Sequence, residues 1–467
     1  MFSNYVVKLR RVSEVVWEIK KEPPMKVPVR VYASESILEK MRGDRTLKQA
    51  VNVASLPGVL PEVSVMPDGH EGYGFPIGGV AAFPVEGGLV SPGGIGYDIN
   101  CGMRLLLTGL SHEEVEPVLS RLTRSLFRAV PSGVGSRGLL DVSKGEFLDV
   151  ITQGMKWAVR QGYATKEDAR HMEEGGSMPA THDSVSHKAV MRGLGQLGTL
   201  GAGNHFLEVQ RVGKLFHPAA QKFGLEEGEV VVMIHTGSRG FGHQIASDHI
   251  RAILSKVKGI DLPDRELAAA PLDSREGEDY LDAMKCAVNF AFVNRQIITY
   301  YVRQVFDELL GAELKLMYDV AHNIGKFEKH GEPVFVHRKG ATRAFGPGRE
   351  DLPEDYRSVG QPVIIPGSMG TASYVLVGRG NPATFESTCH GAGRVMSRSA
   401  ARRSFRGREI KEQLEKRGIM VEAKDRPLIA EEAPGAYKDI DEVVRVVEAA
   451  GISDVVARLV PMGVVKG

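Results

Sequence analysis

Apolar positions recur at helical spacing in several stretches of the chain and at strand spacing in others. From Asp279 to Leu310, the residues Leu281, Met284, Phe290, Ile297, Ile298, Tyr301 and Val305 form a stripe that predicts a long helix packed in the core. Ser111 to Val130 predicts an amphipathic helix, with Ser111 as N-cap and a glutamate pair in its first turn. Glu35 to Met41 and Asp439 to Ala450 also read as helices, and 394–417 as a basic one. Val27 to Ala33, Phe206–Val209 and Val230–Ile234 are strand-like, and Val6, Val7 and Leu9 alternate loosely. In 61–108 and again from Leu314 to Val377, short apolar pieces separated by glycines predict strands joined by tight turns. Residues 131–195 are polar and predicted mostly helical; they hold His171, His182 and His187. No repeat, low-complexity tract or clear linker divides the chain, and a loose composition shift near residue 110 is too weak to mark a boundary. The reading is one intertwined α/β (α+β) domain over 1–467, with mixed β-sheets flanked by helices.

Length alone, 467 residues, would accommodate two to three domain-sized units. The 42% hydrophobic and 25% charged content is that of an ordinary globular protein. A formal net charge of +1 gives no overall nucleic-acid footprint, so any basic surface must be local. Three cysteines, Cys101, Cys286 and Cys389, argue against a disulfide framework and for a reducing compartment. The first residues show no signal-peptide pattern, and no apolar run approaches the ~20 residues of a membrane span. The expectation is a cytoplasmic protein without membrane partners.

The chemistry concentrates in glycine-rich and strand-end segments. Asp98, Cys101, His205, His235 and His322 offer a carboxylate, a thiolate and three imidazoles, a set suited to a transition metal. Asp98-x-x-Cys101 is not a standard zinc spacing, and softness alone points to zinc as readily as to manganese. Each residue taken singly is more ordinarily a core or surface side chain. A second cluster is Cys389-His390-Gly391-Ala392-Gly393-Arg394. Its small residues predict a backbone nest for an anion, aided by the start of the following helix. His390 would be a nucleophile beside it, and Arg394 would fork onto a phosphate; the bland alternative is a helix start with an incidental histidine. Pro366-Gly367-Ser368-Met369-Gly370-Thr371-Ala372-Ser373 suits phosphate or ribose contacts, or simply a polar turn. Arg394, Arg398, Arg402 and Arg406, at i, i+4 spacing, are either a phosphate track or a solvated face. Neither the G-x-x-x-x-G-K-[ST] phosphate loop nor a Lys-x-Asp-Gly nucleotidyl-ligase signature occurs.

Taken together, these segments resemble the RtcB family of RNA-splicing ligases. The matching stretches are Pro67-Asp68-Gly69-His70, Gly94 to Gly102, Gly203 to Glu208, His235 to Arg239, Ala321-His322-Asn323, Pro366 to Gly370 and His390 to Arg394. They follow the family's order over most of the chain, with the poorest match in 131–195. The resemblance implies the family's own α/β fold around a central dinuclear metal site, with two Mn²⁺ ions and GTP. Asp98, Cys101, His205, His235 and His322 would be the ligands. Cys101 would bridge, with Asp98 and His205 completing one site and His235 and His322 the other. His390 matches the guanylylated histidine. Asn204, Phe206, Glu208, Ser368, Ser373, Tyr437 and Lys466 match positions lining the GMP pocket, and the backbone nest of Gly391, Ala392 and Gly393 is placed with them as nucleotide-binding. Arg239 and Lys339 match basic positions near the RNA phosphate, and Arg394 joins them as the phosphate contact read from its own cluster. The implied reaction joins an RNA 3′-phosphate or 2′,3′-cyclic phosphate to a 5′-hydroxyl, as in tRNA splicing or RNA repair, with archease as helper for some members.

Residue chemistry without the resemblance favours a metal-dependent phosphodiesterase or nuclease, in which the cluster activates water and His390 serves as acid or phosphate contact. A non-catalytic RNA-binding protein with a structural metal is the third reading. A nucleotide-dependent covalent adduct separates the first from both.

Overall fold

Two mixed sheets organise the chain, which the computed structural model describes from residue 7 to 467. The first has, in spatial order, strands Arg10–Arg11, Val16–Ile19, Val29–Tyr32, Leu60–His70, Ile77–Pro84, Glu332–Lys339 and Asn323–His330. Its one parallel pair, Val29–Tyr32 with Leu60–His70, requires a crossover, and helices Glu35–Arg42 and Thr46–Ala54 supply it. The second sheet runs Lys315–Ala321, Gly102–Ser111, Glu229–Thr236, Phe206–Leu215, Ser453–Lys466, Ser373–Gly378 and Pro362–Ile365. Met420–Ala423 adds to it, parallel to Ser453–Lys466.

Alternation along the strands explains the layering. Successive side chains of a strand point to opposite faces. In Glu229–Thr236, Val230, Val232 and Ile234 enter the core shared with the long helix, while Val231 and Met233 enter a second core on the opposite face. That strand is buried on both sides, which is why it reads as an unbroken apolar run. The first sheet packs its own core against helices that include Ile440–Ala449.

The long helix spans Arg275–Leu310, four residues more at its start than the apolar stripe predicts. Ser274 caps it by accepting from the Gly277 N–H, and Gly311, at φ 62°, ends it in the left-handed conformation. It is a core helix, but its middle also carries fully buried Asn289, Asn294, Arg295, Gln296 and Thr299. Arg295 and Arg104 share the carboxylate of Asp319 at 2.8–2.9 Å, all three fully buried. Arg295 also donates to the carbonyls of Asn100 (2.8 Å) and Thr236 (2.9 Å).

Three expectations are corrected. The helix predicted from Ser111 to Val130 is broken: a turn at His112–Val115, a tighter one at Glu116–Val118 and a helix at Leu119–Ala129. Pro117 has no N–H to donate and interrupts the ladder; the capping box of Ser111 and Glu114 does form. The predicted basic helix over 394–417 is two helices, Arg398–Ser404 and Gly407–Lys416, separated by extended backbone at Phe405 and Arg406. Of the loose N-terminal alternation, Val6 lies outside the described residues, and the first strand is Arg10–Arg11.

Asp319→Ala is expected to lower stability by about 3–5 kcal/mol, because two buried guanidinium groups lose their counter-charge. Equilibrium unfolding in urea measures this, and a loss below about 1 kcal/mol contradicts the role assigned to the carboxylate.

Candidate active site

Four adjacent strands of the second sheet end at the same edge, and each delivers one side chain there. Cys101 directly precedes Gly102–Ser111, and His205 precedes Phe206–Leu215. His235 lies near the end of Glu229–Thr236, and His322 follows Lys315–Ala321. The register aligns them: Ala321 opposes Gly102, Gly102 opposes Thr236, and His235 opposes Phe206. Neighbouring strands sit ~4.8 Å apart, so these side chains must converge.

The donor atoms form a chain with the thiol at its centre. Asp98 Oδ2 lies 2.8 Å from His205 Nε2, which lies 3.4 Å from Cys101 Sγ. On the other side, Cys101 Sγ lies 3.3 Å from His235 Nε2, itself 3.4 Å from His322 Nε2. His205 Nδ1 faces the Leu200 carbonyl and His235 Nδ1 the Asn204 carbonyl, both at 3.0 Å. A carbonyl can only accept, so His235 Nδ1 carries the proton and its Nε2 keeps a lone pair for the cluster, while the His205 ring lies between the Leu200 carbonyl on Nδ1 and the Asp98 carboxylate on Nε2. Burial, then the neighbouring histidines, holds His235 and His322 well below the usual imidazole range, so both are neutral. Burial, then Asp98, pushes the Cys101 thiol well up, which a bound cation would reverse. Burial opposes ionisation of Asp98, but His205 and Arg239 outweigh it and hold its pKa down. Asp98 Oδ1 is buried without a hydrogen-bond partner. Neutral imidazoles, a central sulfur and an orphaned carboxylate oxygen fit a divalent transition cation, and the Cys101–His205–His235 donors lie within 4.8 Å of one another.

His390 approaches from the first sheet's side. It follows strand Ser387–Cys389, and its ring centroid lies 5.0 Å from that of His322. Asp68, in strand Leu60–His70, is its anchor: Oδ2 accepts from the His390 N–H at 2.8 Å and from Nδ1 at 2.5 Å. Burial opposes the Asp68 charge, but His390 and Lys438 prevail and lower its pKa, so the carboxylate accepts and Nδ1 donates. Nε2 is the nitrogen left for chemistry. Gly393, at φ +74°, must be glycine: a Cβ there would sit 2.2 Å from the Asp68 carbonyl oxygen.

The expected anion nest after His390 is corrected by these contacts. The His390 and Gly391 N–H groups are taken by Asp68 Oδ2, and the Ala392 N–H by the Pro366 carbonyl. No helix dipole assists either, since the next helix starts at Arg398. Arg394 does not stand open for a phosphate fork. It pairs with Glu432 at 3.0 Å, donates to the Glu431 carbonyl at 2.8 Å, and stacks over Tyr437 at 4.8 Å.

A cavity of about 330 Å³ joins the two groups. Asp98, Cys101, His235, His322 and His390 line it, as do Asn204, Phe206, Glu208 and Ser368. Gly391, Ala392, Gly393, Arg394, Tyr437 and Lys466 complete the expected wall, and Lys339 is present. Three expected residues stand behind it. His205 lies beneath Cys101, Arg239 contacts His205 Nδ1 at 3.2 Å, and the Ser373 hydroxyl accepts from the Gly367 N–H at 3.1 Å. Lys339 is buried and donates to the Tyr73 and Phe75 carbonyls; burial pushes its pKa down to about 7. Burial likewise pushes Glu208 up to about 8. Lys466 lies 5.4 Å over the Phe206 ring and 3.6 Å from Glu432. His171, His182 and His187 stay outside the cavity, and His171 pairs instead with Asp355 at 2.8 Å. Sequence reasoning gave no role to Asp68 or Glu432. Asp68 had a signal, its place in Pro67-Asp68-Gly69-His70; Glu432 had none.

A family model described as tRNA-splicing ligase RtcB matches residues 49–467. The chain is 54% identical to the tRNA-splicing ligase RtcB of Thermococcus kodakarensis, over 99% of both chains. It is 53% identical to the Archaeoglobus fulgidus protein of that name, over 98% of this chain and 99% of the relative. To the RNA-splicing ligase RtcB of Mycobacterium tuberculosis it is 51% identical, over 90% of this chain and 100% of the relative.

Cys101→Ala is expected to abolish stoichiometric uptake of a divalent transition metal while the fold persists. Elemental analysis after Mn²⁺ loading and gel filtration checks this, and an unchanged metal content refutes the central position of the thiolate.

Proposed function

The chain belongs to the RtcB family, and on that premise we propose that it is an RNA ligase that passes GMP from GTP, through His390, to an RNA 3′-end. The observation that carries this reading is the placement of the His390 ring, fixed by Asp68 and 5.0 Å from His322 at the edge of the donor cluster.

In the proposed reaction, the Nε2 lone pair of His390 forms a bond to the α-phosphorus of GTP. The bond to the bridging oxygen breaks, and pyrophosphate leaves with that electron pair. Asp68 holds the Nδ1 proton and balances the charge that appears on the ring. An oxygen of the RNA 3′-phosphate then attacks the same phosphorus, the P–N bond breaks, and His390 regains its lone pair. The 5′-hydroxyl oxygen of the second RNA end attacks the RNA phosphorus, GMP leaves, and the hydroxyl proton passes to solvent. A 2′,3′-cyclic phosphate is first opened by hydrolysis. Divalent cations on Asp98, Cys101, His205, His235 and His322, which we take to be two Mn²⁺, would neutralise charge on phosphoryl oxygens.

The nucleotide is assigned to the far wall of the cavity. Lys466 and Phe206 provide a cation and an aromatic face, and Glu208 offers a buried carboxyl group to the N–H edge of a guanine. Tyr437 is held by Glu432 and Arg394. Behind the wall, Ser373 ties down Gly367, and the Arg239 guanidinium favours the Asp98 carboxylate. A thiolate donor at Cys101 requires a reducing compartment, and we assign the protein to the cytoplasm. Among the described residues, no helix is long and apolar enough to cross a membrane. The phosphodiesterase reading is not favoured, since the chain belongs to a family whose relatives are named as RNA-splicing ligases.

With GTP labelled at the α-phosphate, the wild-type chain is expected to form an acid-labile, comparatively base-stable adduct. His390→Ala should abolish it while keeping its metal; an adduct retained by that variant rules out the nucleophile. Asp68→Asn should retain metal and slow adduct formation by roughly 10²-fold or more, the loss of an orienting hydrogen bond to a catalytic imidazole. Single-turnover labelling reads this directly, and a wild-type rate would deny Asp68 its role.

A further inference from the structure

The segment 394–408 carries six arginines and no acidic residue, in a chain whose net charge is +1. Its first members belong to the catalytic cavity, which Arg394 and Arg398 line. The later ones do not. Arg402, Phe405, Arg406 and Arg408, together with Arg426, line a separate groove of about 450 Å³ in which Glu409 is the one acidic side chain.

The groove and the cavity share a wall. Glu431, almost fully buried, pairs with Arg398 at 3.2 Å and with Arg402 at 2.5 Å. Arg398 and Arg402 are four residues apart on the helix Arg398–Ser404 and so share one of its faces. Both side chains remain more than half exposed, at 57% and 56%. One buried carboxylate thus fixes two guanidinium groups at the junction without covering them. Beyond the junction the helix stops, the backbone extends through Phe405 and Arg406, and Arg406 and Arg408 reach solvent at 84% and 75% exposure. Their partners Glu409 and Glu412 are exposed as well. Such surface pairs contribute little and exchange readily for a better anion. The Phe405 ring is half-buried against Gly435.

We propose that this arm, from Arg398 through Arg408 with Arg426, binds the RNA strand whose end enters the catalytic cavity, gripping phosphates several nucleotides from the reacting terminus. The proposal rests on the RNA-ligase reading above. Guanidinium groups suit phosphate oxygens because their planar forks match them. A row of them reads the backbone rather than the bases, so recognition is independent of sequence. Phe405 offers a face on which a base can stack. The ligation chemistry itself involves only terminal groups, so a remote grip lets one enzyme accept many broken ends while holding each long enough to react.

The test uses the full chain carrying Arg406→Ala, Arg408→Ala and Arg426→Ala together, none of which lines the catalytic cavity. GTP labelling is measured without RNA. Binding of 3′-phosphate RNAs of about twenty and about three nucleotides is measured across a salt series. Labelling is expected to be unchanged. Affinity for the longer RNA should fall about tenfold, and its salt slope should shrink by about two units, near 0.7 per lost phosphate contact on a single strand. The short RNA should be unaffected, and lysine at all three positions should restore most of the binding. Unchanged affinity and slope for the long RNA in a normally folded variant would overturn the proposal. Absence of labelling in the wild-type chain would instead defeat the ligase reading, and the arm would still be decided by the binding series.

Discussion

A single carboxylate, Asp319, sits between two guanidinium groups where water does not reach, and the catalytic edge is built over it. Arg295 uses one side of its fork for Asp319 and the other for the carbonyls just before Cys101 and just after His235. The long helix is therefore fastened to the backbone that presents the sulfur and an imidazole. A buried ion network of this kind seldom makes a protein more stable than a well-packed apolar alternative would. What it adds is a fixed position. Asn100, at φ 53°, holds a conformation that is uncommon for a side chain other than glycine, and the Arg295 contacts help hold it there.

The cavity is a meeting of two sheets with different duties. One offers neutral imidazoles and a thiol, all on strand ends whose register leaves little freedom. The other offers Asp68, which captures His390 through two atoms and so sets both its backbone and its ring. Glycines at the contact allow the segments to touch: at Gly393 even a methyl group would collide with the Asp68 backbone. Burial keeps His235 and His322 neutral, the state in which an imidazole can act as a ligand.

Much of this was legible in the sequence, and the gaps have physical causes. The glycine-rich motifs marked where chemistry concentrates, because close backbone approach needs them. The convergence of Cys101 with His235 was not visible without the resemblance, since 134 residues separate them and only strand register joins them. The segment after His390 departs from its local pattern for a similar reason. Its N–H groups do form an anion cradle, but the anion is Asp68, 322 residues away in the chain. Local breaks also compete with apolar spacing. Pro117 breaks a helix that apolar spacing alone would continue, and arginine spacing suggested a single basic helix where the backbone extends at Phe405. Buried polar residues in the long helix were hidden within a stripe that looked simply apolar.

The strand Ser453–Lys466 lies in the interior of the second sheet, between Phe206–Leu215 and Ser373–Gly378. During synthesis its neighbour Phe206–Leu215 leaves the ribosome more than two hundred residues earlier. Until the late strand arrives, the nascent sheet is split and presents an unpaired edge, the kind of surface that invites aggregation. Folding of this protein should therefore depend on protection of that gap, and completing the sheet and delivering Lys466 to the cavity become the same event.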